Sequence, residues 1–294
     1  MVPLVSAALA TLTAVTACGA PAGSGDGGKG SGTGPDGIGQ PIVMASFYPL
    51  QWLAQEIAGP DVKIGSLTPK GAEPHDSELE LSQVSALGEA DLLVTLGGFQ
   101  AAVDQAITAN PPKETLDVAP LVGLENEDPH FWLDPVKLAA LATPIAQALG
   151  KADPDGASGY DNRAATVASN LAALDEELAT GLAEFKGAAL ITTHAAFNYF
   201  AQRYELDAVS ISGVDPEAEP SPARISNAAR QIEGLAVKTI YFEDQASPKT
   251  AEVLAGKLGL TTSVLSPIEN DNSGDYLEAM RTNLEALRTG LVAP

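Results

Sequence analysis

The chain has 294 residues and a formal net charge of −22, from 38 acidic and 16 basic side chains. Hydrophobic residues make up 45% of it and aromatic residues only 5%, which predicts a large, mainly aliphatic core. The acidic excess argues against nucleic acid as a partner, because phosphate binding requires clustered cations. It also argues against an anionic membrane surface as a docking site for the folded body. The single cysteine excludes an internal disulfide and a cysteine-based zinc finger.

The first 40 residues have the composition of a targeting segment followed by a linker. Residues 2–17 are uncharged and apolar or small, and they are too few to span a bilayer, which takes ~20 apolar residues. They predict a signal peptide over residues 1–17, with Cys18 as the lipid-modified residue of a lipobox-like cleavage site. Nearly every second residue from 19 to 40 is glycine, so residues 18–40 are expected to form a flexible tether. We therefore expect an exported protein that is lipid-anchored at the outer face of the cytoplasmic membrane.

The rest of the chain alternates short apolar runs with helical patterns. This alternation predicts βαβ units and an α/β fold with two lobes of mainly parallel sheet flanked by helices, over residues 41–155 and 187–294. In chain order, the predicted elements of the first lobe are strand 41–47, helix 50–58, strand 62–67, helix 77–90, strand 91–96, helix 101–108, strand 114–118 and helix 135–149. Those of the second lobe are strand 188–193, helix 195–203, strand 208–211, helix 222–233, strand 237–242, helix 248–258, strand 261–265 and helix 275–291.

A long helical stretch separates the two predicted lobes. From Val167 to Phe185 the apolar residues recur at steps of three and four, which predicts one helix, over about residues 158–185, with a single buried stripe. Its position in the chain makes residues 156–186 a rigid connecting helix between the lobes.

The three histidines, His75, His130 and His194, all lie at predicted junctions between elements. The first two come before predicted helix starts, and the third ends a buried strand. Ligands of open α/β sheets bind near the carboxyl ends of the strands, so these positions favour one joint site. Neutral imidazole is a preferred ligand of tetrahedral Zn²⁺. Because the histidines are far apart in the sequence, the fold must bring them together.

Five segments carry a family resemblance. Three contain the histidines: Pro74-His75 with the following Glu78, residues 128–135 (Asp-Pro-His-Phe-Trp-Leu-Asp-Pro) and residues 192–200 (Thr-Thr-His-Ala-Ala-Phe-Asn-Tyr-Phe). The other two are residues 219–222 and 247–249. Together they resemble the zinc/manganese solute-binding proteins of ABC transporters. The resemblance implies two α/β lobes joined by a long rigid helix, with one metal ion held between them. It also implies a monomer that passes the ion to the permease and ATPase subunits of an ABC importer.

The resemblance also bears on the metal and on the fourth ligand. Zinc-type members have histidine where this chain has His194, and manganese-type members have a carboxylate. A third imidazole likewise favours Zn²⁺ over Mn²⁺ as the transported ion. In related proteins the fourth ligand is an acid after the last strand, which implies Glu269 here. Glu243, at the end of the 237–242 strand, and a water molecule are the alternatives.

Several functions are compatible with such a site. The favoured one is a high-affinity extracytoplasmic zinc receptor, which is not an enzyme. Its site should bind one ion and weaken below about pH 6.5, where free histidine becomes protonated. The alternatives are a manganese-binding protein, a metal-dependent adhesin or metallochaperone, and a secreted zinc hydrolase. The hydrolase is disfavoured because the sequence has neither a His-Glu-x-x-His helix nor a serine nucleophile elbow.

Overall fold

The structure is a computed structural model, and it describes residues 40–214, 221–243 and 248–294. Outside these residues lie the predicted signal peptide, Cys18, the tether up to residue 39, and Glu219, Pro220 and Ser247 of the family-like segments. Among the residues described, no helix combines the length and the apolar character needed to cross a lipid bilayer.

The amino-terminal lobe is built on a sheet of four parallel strands in the order β2-β1-β3-β4. The strands are β1 (Val43–Ala45), β2 (Ile64–Ser66), β3 (Leu92–Thr95) and β4 (Thr115–Asp117). The helices are α1 (Tyr48–Ala58), α2 (Leu81–Glu89), α3 (Ala101–Ala109), α4 (Ala119–Val122), α5 (Pro135–Ala139) and α6 (Ala142–Ala152).

One long helix, α7 (Ala157–Gly181), leads from this lobe to the next and is followed by a 3₁₀ turn at Ala183–Phe185. It packs against α1, α5 and α6 of the first lobe and against the last helix of the second lobe. The predicted buried stripe is present, and it continues into the turn through Leu182 and Phe185. The connecting helix is therefore part of the core of both lobes.

The carboxyl-terminal lobe repeats the arrangement of the first, with four parallel strands in the order β6-β5-β7-β8. In each sheet the winding therefore reverses between the first and third strands, which is where open α/β sheets form ligand crevices. The strands are β5 (Ala189–Thr192), β6 (Asp207–Ser210), β7 (Thr239–Phe242) and β8 (Thr261–Val264). The helices are α8 (Asn198–Tyr204), α9 (Pro222–Ile232), α10 (Lys249–Leu258) and α11 (Tyr276–Gly290).

A single apolar cluster runs through both lobes. Successive residues of a strand point to opposite faces of its sheet, so each sheet contributes one face to the shared cluster and the other to a smaller cluster of its own. The inner faces and α7 meet in the shared cluster, so the two sheets have little freedom to move as separate bodies. Strand residues of the shared cluster are Val43, Ala45, Ile64, Leu92, Val94, Leu190 and Tyr241.

Local chemistry moves several predicted boundaries. The predicted helix 135–149 is divided into α5 and α6, because Pro144 has no N–H to donate to the carbonyl of Ala140 and its ring crowds that carbonyl. The predicted helix 77–90 starts only at Leu81, where the Gln83 side chain accepts from the Glu80 N–H at 2.8 Å. His75 is therefore in a loop well before the helix. The predicted helix 195–203 begins as a 3₁₀ turn at Ala195–Phe197.

The shared cluster predicts that the two lobes unfold together. Replacing the fully buried Leu171 of α7 by alanine should lower the free energy of unfolding by about 2–5 kcal/mol through lost burial and an unfilled cavity. Urea unfolding followed by circular dichroism should still show one transition. Glu176→Ala, an exposed position on the same helix, is the control and should change stability by less than about 0.5 kcal/mol. Two separate transitions would contradict a shared core.

Candidate metal centre

Four side chains from the two lobes meet near the carboxyl ends of the strands. His75 lies in the loop between β2 and α2, and His130 comes directly before a 3₁₀ turn that precedes α5. His194 lies just after β5, and Glu269 follows β8. One possible ligand atom from each of the four side chains lies within 4.8 Å of the other three. Each lobe therefore supplies two donors to one cluster.

Three of these donors already have the spacing that a tetrahedral ion requires. His75 Nε2 lies 3.2 Å from His130 Nε2 and 3.4 Å from Glu269 Oε1, and the last two atoms are 3.0 Å apart. Ligands that bind zinc at ~2.0–2.2 Å with tetrahedral angles are roughly 3.3–3.6 Å from each other. The three atoms thus approximate one face of a zinc coordination tetrahedron.

The fourth side chain, His194, has both ring nitrogens next to protein acceptors. Its Nδ1 lies 2.5 Å from Glu243 Oε1, and its Nε2 lies 2.8 Å from the carbonyl oxygen of Val214. A carbonyl can only accept, so the Nε2 carries a hydrogen in this arrangement. To bind a metal through Nε2, His194 would have to lose that hydrogen and leave the Val214 carbonyl.

Glu243, considered above as an alternative fourth ligand, lies behind His194 and outside the set of four. Glu243 follows β7 and His194 follows β5, so their hydrogen bond crosses the point where the second sheet reverses its winding. Carboxylates in this position commonly orient a metal-binding imidazole. The geometry suits Glu243 for holding the ring of His194.

Asp128 plays the corresponding part for His130. Its Oδ1 accepts from the His130 backbone N–H at 3.0 Å and lies 2.7 Å from His130 Nδ1. Its Oδ2 accepts from the amide of Asn198, the first residue of α8, at 2.9 Å. Asp128 therefore joins a donor of the first lobe to the helix that follows His194 in the second. Asp128 was not among the predicted site residues, although an acid two residues before a candidate ligand is a usable signal.

Buried charges stabilise this cluster by pairing. Burial lowers the pKa of His130, but the carboxylates of Asp128 and Glu269 outweigh it and raise the pKa to about 9. Burial raises the pKa of Glu269, but hydrogen bonds to His130 and His75 outweigh it and hold the pKa well below its usual range. For His194, burial lowers the pKa and Glu243 raises it, with a net increase. At neutral pH the cluster therefore contains a buried imidazolium–carboxylate pair between His130 and Glu269.

Most of the chain matches the model of a known protein family. Residues 43–290 match the model of the family described as "ZnuA: Zinc-uptake complex component A periplasmic". The match includes both sheets, α7 and all four clustered side chains. The chain belongs to this family.

Curated members of the ZnuA family include two instructive relatives. The zinc-binding lipoprotein AdcA of Streptococcus pneumoniae is 32% identical over 274 residues, which cover 84% of this chain and 55% of AdcA. The high-affinity zinc uptake system protein ZnuA of Bacillus subtilis is 30% identical over 281 residues, covering 85% of this chain and 87% of that protein. The chain thus spans about half the length of the AdcA relatives but most of the ZnuA relative.

Solved structures of similar proteins agree with the architecture. The Zn(II)-bound ZnuA-like domain of S. pneumoniae AdcA superposes with a TM-score of 0.74 at 32% identity, covering 86% of this chain and 99% of that domain. The laminin-binding protein Lmb of Streptococcus agalactiae, described as bifunctional with adhesin and metal-transporting activity, has a TM-score of 0.79 at 31% identity. It covers 85% of this chain and 99% of its own. The predicted α/β fold with a long connecting helix is therefore confirmed.

The buried ion pair predicts how pH affects the stability of the chelator-treated protein. Because the pKa of His130 is raised from 6.5 to about 9, its contribution is complete below about pH 6.5 and is lost as the pH rises through 9. The free energy of unfolding should therefore fall by about 1–3 kcal/mol between pH 6.5 and 9.5 in urea titrations. Asp128→Asn, which removes one partner of His130, should flatten this dependence. A stability that rises with pH in the parent would contradict the pairing.

Proposed function

We propose that His75, His130, His194 and Glu269 hold one Zn²⁺ ion, and that the protein captures zinc outside the cytoplasm and delivers it to an ABC importer. The observation that carries the proposal is the convergence of three imidazoles and one carboxylate, drawn from both lobes, within 4.8 Å. Membership in a family described as a zinc-uptake component supports uptake as the purpose of that site.

The donor set favours zinc over manganese. Three nitrogen ligands suit the borderline-soft Zn²⁺, whereas Mn²⁺ prefers sites dominated by oxygen. The Zn(II)-bound state of the related AdcA domain supports the same choice. Four protein donors also complete a tetrahedron, which leaves no position for the bound water that a zinc hydrolase needs. The arrangement therefore favours binding and delivery of zinc over catalysis.

Zinc release from this site would come from local movements. The apolar cluster shared by both sheets opposes a wide hinge opening between the lobes. His194, in contrast, has a second partner in the Val214 carbonyl, so once its Nε2 has left the ion and taken up a proton, the resulting N–H has an acceptor. Local exchange at His194 is thus compatible with a rigid body.

The proposed setting of this receptor is the outer face of the cytoplasmic membrane. Lipid modification of Cys18 would anchor the chain there, and the lipoprotein name of the S. pneumoniae relative supports that anchor. The partners would be the permease and ATPase subunits of the importer, which the monomeric protein would meet with its ion bound. Adhesion is a second candidate role, supported by the adhesin description of the Lmb neighbour.

The proposed ligand set predicts unequal effects for the two glutamates. Glu269→Ala removes a ligand and should weaken zinc binding by more than about 100-fold, beyond the ~10–100-fold expected for Glu243→Gln, which removes only a partner of His194. Affinities would be measured by competition with a chromogenic chelator. Glu278→Ala, an exposed acid on α11, is the control for lost charge. A Glu269→Ala protein that binds zinc as tightly as the parent would refute the assignment.

Zinc binding should release protons and should weaken as the pH falls. The weakening should begin below about pH 9 rather than 6.5, because His130 has a raised pKa and must be deprotonated to bind. Calorimetry in buffers of different ionisation enthalpy counts the protons released, and competition titrations from pH 5 to 9.5 give the slope. An affinity that stays constant down to pH 5 would contradict histidine ligation.

A further inference from the structure

We propose that Glu73 is an exchange ligand, an outer carboxylate that binds the zinc ion while it passes between solvent and the four clustered side chains. The inference rests on the proposed zinc-binding function and concerns how fast the ion enters and leaves. Glu73 lies outside the cluster of four, so it is not needed to complete the tetrahedron.

The position of the Glu73 carboxylate fits this role. Its Oε1 lies 3.9 Å from His75 Nε2, the atom that faces His130 and Glu269. An oxygen and a nitrogen bound to one zinc ion are roughly 3.3–3.6 Å apart, so a shift of a few tenths of an ångström would let both bind the same ion. Backbone N–H groups of His75 and Asp76 donate to its two oxygens at 2.9 and 3.2 Å. The carboxylate is therefore held beside the site before an ion arrives.

The exposure of the side chains indicates the side from which an ion would reach the four clustered donors. The side chain of Glu73 is 21% exposed and that of His75 is 11% exposed, whereas Glu269 is 4% exposed and His130 is fully buried. An ion that arrives on this side meets Glu73 first, then His75, and the buried donors last.

The electrostatics of the two carboxylates also favour a cation between them. Glu73 Oε1 and Glu269 Oε1 lie 3.9 and 3.4 Å from the same atom, His75 Nε2, so the two carboxylates are close enough to repel each other. A divalent cation placed near both carboxylates relieves that repulsion. The benefit is largest during entry, when the ion has lost part of its water shell and has not yet gained all four ligands.

The exchange would be a pair of ligand substitutions without redox change. On entry, a Glu73 oxygen forms a bond to zinc as one water of the hydrated ion departs. The bond from zinc to His75 Nε2 then forms, and the bond to Glu73 breaks as the ion moves inward. Zinc readily passes through five-coordinate arrangements, so both bonds can coexist briefly. Release follows the same steps in reverse.

This role has a kinetic signature that other roles of Glu73 lack. A group that binds the ion only in transit lowers the barrier for entry and exit equally, so its removal slows both rates and leaves the dissociation constant unchanged. A residue that only attracts the ion would change the association rate and its salt dependence, with dissociation unaffected. A residue that only fixes the His75 loop would, when removed, accelerate dissociation and weaken binding.

Stopped-flow measurement of zinc association and of chelator-driven dissociation distinguishes these cases. Glu73→Gln should slow both rates by about tenfold, the lower end of the range for partners of metal ligands, with a dissociation constant close to that of the parent. Glu78→Gln, which removes an exposed charge from the same loop, is the matched control and should keep both rates near those of the parent. A change in one rate alone would overturn the proposal.

A second variant guards against a misfolded loop. Glu73→Asp keeps the charge but draws the carboxylate back from His75, so it should also slow both rates. Rates equal to those of the parent in Glu73→Asp would show that only charge matters and would overturn the exchange role. If the parent itself failed to bind one zinc ion, the proposed function would fail and this inference with it. If the parent binds and only the Glu73 rates disagree, the inference alone fails.

Discussion

The apolar cluster that both sheets share through α7 is the constraint on which the rest of the structure depends. It holds the two sheets so that loops from their carboxyl ends face each other, and the four polar side chains meet there. The four donors lie in four different connecting segments, so their spacing is set by the packing of the lobes. Buried apolar area, rather than the polar contacts themselves, thus determines the geometry of the candidate site.

Within that frame, each polar side chain is held by a second group. Asp128 orients His130, Glu243 orients His194, and Glu269 balances the charge that His130 carries. A buried ion pair of this kind contributes less to net stability than its Coulomb attraction suggests, because both groups lose their hydration. The pair holds the donor side chains in position, with protons occupying the places where a cation would bind. Protonation and metal binding then compete for the same atoms.

Much of this arrangement follows from sequence patterns. The parts that do not follow depend on contacts formed only in the folded chain. The rarity of histidine and its position at element junctions predicted that His75, His130 and His194 would lie together, and the structure brings them within 4.8 Å. Glu269 came from the family resemblance and not from periodicity. The place of Glu243 depends on its contact with His194, which is distant in sequence and is encoded by no local pattern, whereas Asp128 contacts His130 only two residues away.

Some misplaced boundaries had local signals that could have been used. Pro144 marks the division between α5 and α6, because a proline that far inside a helix removes a hydrogen bond. The pairing of Gln83 with the Glu80 N–H marks the start of α2. The second boundary matters for function, because the later start of α2 leaves His75 in a loop rather than at the head of a helix. A loop can keep a partly exposed carboxylate such as Glu73 next to the donors.

The equal division of the donors, two from each lobe, links the ion to the integrity of the whole body. Neither half of the chain could assemble the site alone, so an ion bound there stabilises only the complete fold, by RT ln(1 + [Zn²⁺]/Kd). Because the same two lobes also share their apolar core, that stabilisation acts on all of residues 40–294 that the structure describes, not on one lobe. Resistance to heat or protease would then rise with the concentration of free zinc around the protein, so the stability of the whole fold would report how much zinc is available.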